Sequence, residues 1–169
     1  MKKRLLPVLL ILALIVAGTF YYRSRDEQKI GRQVDQLLEN VAHQKISLRK
    51  PSDVREAVSE VLADEVQLYG AYPIPTATQS LDEVLEQIKT LHDFTTLCEI
   101  KVANREVEIR GDEAKATLQA EVLVAAGKNY QRREEWTMIF ELKKFDVWKI
   151  TGIKGIPPSN RAPDEEISF

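Results

Sequence analysis

The side chains that could carry chemistry are few and scattered. Cys98 is the one cysteine of the chain, so neither an intramolecular disulfide nor a cysteine-rich metal site can form. It falls in an alternating apolar stretch, where a lone thiol reads as a small buried hydrophobe. A nucleophilic or redox thiol needs a neighbouring base, and none can be named. His92-Asp93 has the residue types of an acid–base pair. Adjacent residues on a helix point about 100° apart, however, so the two side chains do not converge. His43 falls near the C-terminal end of an expected helix, where a cation is favoured by the dipole, and it receives no chemical role. Tyr69, Tyr72 and Tyr130 have no evident buried acid beside them. The sequence contains no phosphate-cradling glycine loop, no metal-ligand spacing and no internal repeat. No catalytic residue, no cofactor-binding residue and no metal ligand is therefore assigned.

The totals narrow the partners instead. Of 169 residues, 30% are charged and 44% hydrophobic, the composition of a folded domain rather than a disordered one. Lys2, Lys3 and Arg4 precede the first acidic residue, Asp26. Without those three cations the rest holds 21 basic against 26 acidic residues, a net of −5. A weakly acidic domain excludes nucleic acid as the expected partner, because that binding rests on phosphate neutralisation.

Residues 5–22, LLPVLLILALIVAGTFYY, form eighteen uncharged and mostly apolar positions. As a helix they would reach about 27 Å, close to the hydrocarbon thickness of a bilayer. Pro7 falls in the first turn, where its missing N–H costs little. Tyr21 and Tyr22 sit at the far boundary, suited to an interface, and Arg23 and Arg25 end the run. The competing reading is a cleaved signal peptide, but bulky Phe20-Tyr21-Tyr22 follows the small residues Ala17-Gly18-Thr19. The expectation is an uncleaved single-span membrane anchor over 1–25, with a cytoplasmic N-terminus and the domain on the extracytoplasmic, periplasmic side. Arg23, Arg25, Lys29 and Arg32 beyond the span nearly balance the charge bias that sets this orientation.

Helical stripes follow. Ile30, Val34, Leu37, Leu38 and Val41 predict a helix over 26–46. Pro51-Ser52 opens a second helix, with Val54, Val58, Val61 and Leu62 as its buried stripe. Glu65–Tyr69 reads as a short strand before a loop with Pro73 and Pro75. Ser80-Leu-Asp-Glu83 has capping-box spacing and starts a third helix that ends near His92-Asp93.

From Leu97 onward the period falls to two, the signature of strands with one buried face. Cys98, Ile100 and Val102 alternate, then Val107 and Ile109 on the opposite parity, which predicts a bulge or a bend around Asn104-Arg105. Arg110-Gly111-Asp112 turns into a strand carrying Ala114, Ala116, Leu118, Ala120, Val122 and Val124 on one face. Gly127-Lys128-Asn129 turns into another, with Trp136, Met138, Phe140 and Leu142 inward. Phe145, Val147, Trp148 and Ile150 mark the last strand. Glu108, Glu121, Glu135 and Glu141 fall on the solvent parity. The inward faces thus read as Ala, Leu, Val, Trp, Met and Phe, and Trp136 with Met138 reads as core before it reads as a ligand pocket. The class is α+β: three helices packed on a curved antiparallel sheet over 26–156, with a Pro-rich, acidic tail over 157–169.

The helix order, the VEIRGDEAKATLQAEV turn between long strands and the closing FDVWKITGI resemble the nuclear transport factor 2-like superfamily, which includes ketosteroid isomerase and scytalone dehydratase. The resemblance implies a cone with a pocket between sheet and helices, catalytic in some members. It also implies a precedent for single-span assembly components of secretion machines built on this fold. Catalysis would require a carboxylate or histidine facing into the cone beside an acid or tyrosine. The expected function is a membrane-anchored, non-catalytic binding or assembly module whose partner is a protein or a second copy. A small-molecule binder, or an isomerase- or dehydratase-type enzyme using the cone, is the alternative.

Overall fold

The computed structural model describes residues 5–44, 51–70, 76–127 and 130–158, and the side chains of these residues except 5–20, Pro51 and Gly70. Its first element, α1, is one helix of 37 residues, Leu5–Val41, about 55 Å long. The second half buries Ile30, Val34, Leu37 and Leu38, the stripe expected from their spacing. The expected helix over 26–46 is corrected at both ends. No glycine or proline interrupts Thr19 to Ile30, so nothing separates the helix from the apolar run before it. It stops at Val41, and β1 (His43–Gln44) follows, so His43 lies in a strand and not at a helix end. Among the described residues no helix is long and apolar enough to cross a membrane. The side chains of the expected anchor lie outside the described residues, apart from those of residues 21–25, all exposed. The expected loop around Tyr72, Pro73 and Pro75 and most of the tail lie outside them too.

The helix α2 (Pro51–Val61) runs straight into β2 (Leu62–Gly70), followed by β3 (Ala77–Ser80), α3 (Leu81–Phe94), β4 (Leu97–Arg110), β5 (Glu113–Ala126), β6 (Tyr130–Lys144) and β7 (Trp148–Ile156). Ser80 caps α3 with the anticipated reciprocal bonds: its hydroxyl accepts from the Glu83 N–H, and the Glu83 carboxylate accepts from the Ser80 N–H at 2.7 Å. The sheet order is β1-β4-β5-β6-β7-β2-β3. The expected all-antiparallel sheet is corrected to a mixed one. The strands β4 to β7 form the meander, but β2 lies parallel to β7, with Gln67 opposite Gly152. The edge of β7 would otherwise be open, and β2 in that place buries Leu62, Val66 and Leu68.

The bulge falls where the parity change put it: the β4–β5 register shifts between Val102 and Asn104. Beyond it Arg105, Val107 and Ile109 face Leu118, Ala116 and Ala114 on the inner side. Gly111, at φ 66°, makes the β4–β5 turn in a conformation that a Cβ would oppose. The core joins Phe140, Leu142, Trp148, Ile150, Leu118 and Ala116 of the sheet to the α1 stripe, to Val58 and Val61 of α2, and to Val84 and Ile88 of α3. Two expectations about this core are corrected. Trp136, opposite Ala120, is half-buried and lies outside the core. Trp148, 2% exposed, is the buried indole. Phe145 and Val147 do not belong to the last strand, which starts at Trp148, but occupy the β6–β7 turn, exposed.

One polar clasp holds α1 to this sheet end. The Lys144 ammonium donates to Asp26 at 2.8 Å and lies 5.5 Å from the centre of the Trp148 ring. That hydrogen bond is the chief reason that the Asp26 carboxyl is held below the ordinary carboxylate range, with burial opposing it.

Replacing Trp148 by alanine should cost about 3–5 kcal/mol in urea-unfolding stability. Trp136→Ala should cost roughly 1 kcal/mol, and equal losses would overturn the assignment of the core. Because the folded state binds the Asp26 proton less readily than the unfolded chain, this carboxylate's contribution is complete above about pH 4. It is lost as the pH falls through the lower, folded value. Asp26→Asn should therefore weaken the fold at neutral pH and flatten its acid limb. A variant with the parent's acid sensitivity would refute the clasp.

Candidate functional site

Polar side chains enter the inner face of the sheet at two places, and both were missed by the expectation of an apolar interior. The first is Arg105. The bulge turns it inward, where its guanidinium forms a double contact with Asp35 of α1, Nη1 to Oδ2 at 3.1 Å and Nη2 to Oδ1. The guanidinium passes directly over Gly31, where an added Cβ would stand 2.9 Å from Nη1. A glycine inside a helix costs about 1 kcal/mol relative to alanine, and here it makes the seat for that cation. Ser24, Gln28, Gly31, Asp35, Arg105 and Val107 border an open groove of about 540 Å³ along α1.

The second place is the wide end of the sheet. Counting back from Trp136 by twos puts Glu134 and Arg132 on the same face. Glu134 is opposite Val122 and Arg132 opposite Val124. Arg132 Nε lies 2.6 Å from Glu134 Oε1, with the two side chains 28% and 14% exposed. The Trp136 indole N–H donates to Glu134 Oε2 at 3.0 Å. Both carboxylate oxygens thus have a donor already, so the group serves as an acceptor that fixes the indole and the guanidinium. The sequence signal was present: the alternation that sends Trp136 inward sends these two with it.

The histidines meet each other rather than Asp93. His43, opposite Cys98 in the β1–β4 ladder, stacks on His92 with ring centres 4.2 Å apart. The Thr95 hydroxyl donates to the Leu91 carbonyl at 2.6 Å, so its oxygen accepts from His43 Nε2 at 3.0 Å. That places the His43 proton on Nε2. His92 Nε2 donates to the Val41 carbonyl at 3.1 Å and ties the end of α1 to the end of α3. Burial lowers the His92 pKa below its ordinary value, partly offset by that carbonyl, while the neighbouring His43 adds to the lowering. The pair is a hydrogen-bonded joint between chain segments. Asp93 is exposed and makes no bond to His92.

Cys98 is buried, as its surroundings suggested, and desolvation pushes its thiol up to about 11. Tyr69 and Tyr130 are exposed. Glu108, Glu135 and Glu141 lie on the exposed side, and Glu121 faces Arg133 there at 3.5 Å. Among the described residues no group of acids, histidines and cysteine converges as a metal site. What the inner face offers chemically is polar recognition at the Arg132–Glu134–Trp136 end, over a floor of Ile100, Val122 and Val124.

In the native protein Cys98 should resist a chromogenic disulfide reagent at pH 8 and react only on unfolding. Rapid native labelling would place the thiol at the surface.

No family model matches the chain, and no curated protein matches it in sequence. Solved structures match it in shape. A nuclear transport factor 2-like protein of cystatin-like fold from Novosphingobium aromaticivorans superposes with a TM-score of 0.63 at 12% identity, covering 86% of this chain and 90% of its own. A protein from Kribbella flavida gives 0.68 at 12% identity, over 80% and 92% of the two chains. A nuclear transport factor 2-like superfamily protein from Salmonella enterica serovar Typhimurium gives 0.65 at 10% identity, over 85% and 99%. The chain has the nuclear transport factor 2-like, cystatin-like fold, with a mixed sheet and three helices, and at these identities the likeness is one of fold alone.

Proposed function

We propose that this protein is a binding or assembly module held at a membrane by residues 5–22, with its folded domain on the extracytoplasmic side. The observation that carries this reading is the continuity of α1. The helix that contains the apolar run is the same helix that buries Ile30, Val34, Leu37 and Leu38 in the core. A tether of this kind holds the domain at a fixed distance and angle, which suits a component that must present a surface to a protein partner or to a second copy. The outer face of β5 and β6 is the surface left for that purpose: Thr117, Gln119, Thr137 and Ile139 flank the Glu121–Arg133 pair. The engagement of Glu134 by two donors favours a positioning role for that carboxylate over acid–base work. It also leaves Arg132 and Trp136 as the groups around which a small ligand would be read.

Alkaline carbonate extraction of membranes containing the full chain, followed by cross-linking from a photoreactive residue at Thr137, tests the proposal. The expected outcome is a membrane-integral protein that cross-links to itself or to one defined protein. Release by carbonate would refute the anchor. A membrane-integral protein recovered only as uncross-linked monomer would refute the assembly role.

A further inference from the structure

Two turns meet at one end of the sheet, Arg110-Gly111-Asp112 between β4 and β5 and Phe145-Asp146-Val147 between β6 and β7. The Lys144 N–H ties them together by donating to the Asp112 carbonyl at 2.7 Å, and within the second turn the Phe145 N–H donates to the Val147 carbonyl at 3.0 Å. At the tip Phe145 is 59% and Val147 53% exposed. Scattered surface hydrophobes are ordinary, but here two sit on one tight turn, among charges of both signs: Arg110 paired with Glu108, Lys144 paired with Asp26, and Lys143 near Asp112, Glu113 and Asp146 in sequence.

The height of this tip along α1 follows from two contacts. Lys144 is bonded to Asp26, which is four residues, or about 6 Å of helix, past Tyr22. Independently, β4 runs back along α1 from Arg105, which sits at Gly31 and Asp35. Five strand residues onward to Arg110 is about 16 Å, the rise of roughly eleven helical residues, which reaches the level of Tyr22. Both turns therefore stand where α1 displays exposed Tyr21 and Tyr22 and, one step later, Arg23 and Arg25. Aromatic rings with polar tips followed by cations suit the water–lipid boundary.

We propose that the Phe145-Asp146-Val147 turn rests in the headgroup boundary of the bilayer that holds α1, as a second point of contact that sets how the domain stands on the membrane. This rests on the reading of residues 5–22 as the inserted segment. The occupant of the tip is a lipid surface, because the clasp to Asp26 and the run of β4 from Arg105 together bring the apolar tip close to the level of the tyrosines. Lys143 and Arg25 suit lipid phosphates there, while Arg23 pairs with Glu27 at 3.4 Å. The tip adds apolar contact at a boundary that the tether has already brought within reach, so no separate affinity is required.

The full chain, carrying a nitroxide on Phe145→Cys or on Val147→Cys, is placed in vesicles of equal parts phosphatidylcholine and phosphatidylglycerol. Both positions are exposed, so the label does not disturb packing, and the buried Cys98 thiol stays unlabelled. A nitroxide on Tyr130→Cys, at the opposite end of β6, serves as the reference. The expected result is a several-fold higher ratio of oxygen to nickel-complex collisions at 145 and 147 than at 130. Equal ratios in protein that floats with the vesicles would overturn the lipid contact and leave the tether standing. Protein that does not float would overturn both.

Discussion

The structure depends on the seating of α1 across the inner face of the sheet. Four apolar side chains of that helix enter the core, at a gain of about 1.5–3 kcal/mol each. Two charge pairs then fix its position, Asp26 with Lys144 at one end of the sheet and Asp35 with Arg105 near the middle. Hydrophobic burial is indifferent to small slides along a stripe, whereas a guanidinium over a glycine is not. The pairs are partly exposed, so their energetic contribution is modest, and their effect is to set register. The His92 bond to the Val41 carbonyl completes the arrangement at the far end.

That arrangement divides the inner face. Towards the turn-bearing end, Phe140, Leu142, Trp148 and Ile150 are covered by helix and closely packed. Towards the opposite end, Trp136 is only half-buried and the face carries an ion pair instead of aliphatic side chains. A charge pair of that exposure keeps enough solvent contact to avoid the full penalty of burial, so it does not demand a sealed interior. The two ends of the inner face thus differ in kind, one packed with apolar side chains and the other lined by the Arg132–Glu134 pair.

Much of this was legible in the residues. Wherever local geometry decides, the pattern sufficed: the reciprocal cap at Ser80 and Glu83, the parity change that marks the bulge, the glycine turn at 111, and the alternation along β5. Whatever depends on distant partners was not readable. Nothing in Leu62–Gly70 says that it pairs parallel with β7, since that choice is made by an edge formed some eighty residues later. Period two told which side Trp136 faces but not how much helix covers it, so the more buried indole had to be found in the structure. His43 was assigned to a helix because an apolar stripe has no sharp end, and its stacking on His92 joins segments about fifty residues apart. Arg132 and Glu134 were overlooked for a different reason: the same alternation marked them, but the expectation that interiors are apolar outweighed the count.

An unbroken helix also transmits phase. Each residue of α1 advances its side chain by about 100°, so the direction in which the apolar half presents a given face is locked to the direction in which Ile30 and Val34 enter the core. Adding one residue between Arg25 and Asp26 would swing the whole sheet more than a quarter of a turn around that shaft while leaving the Asp26–Lys144 bond and the contacts beyond it intact. The chain is in this sense keyed: its azimuth relative to whatever grips the first half of the helix is encoded by residue count alone.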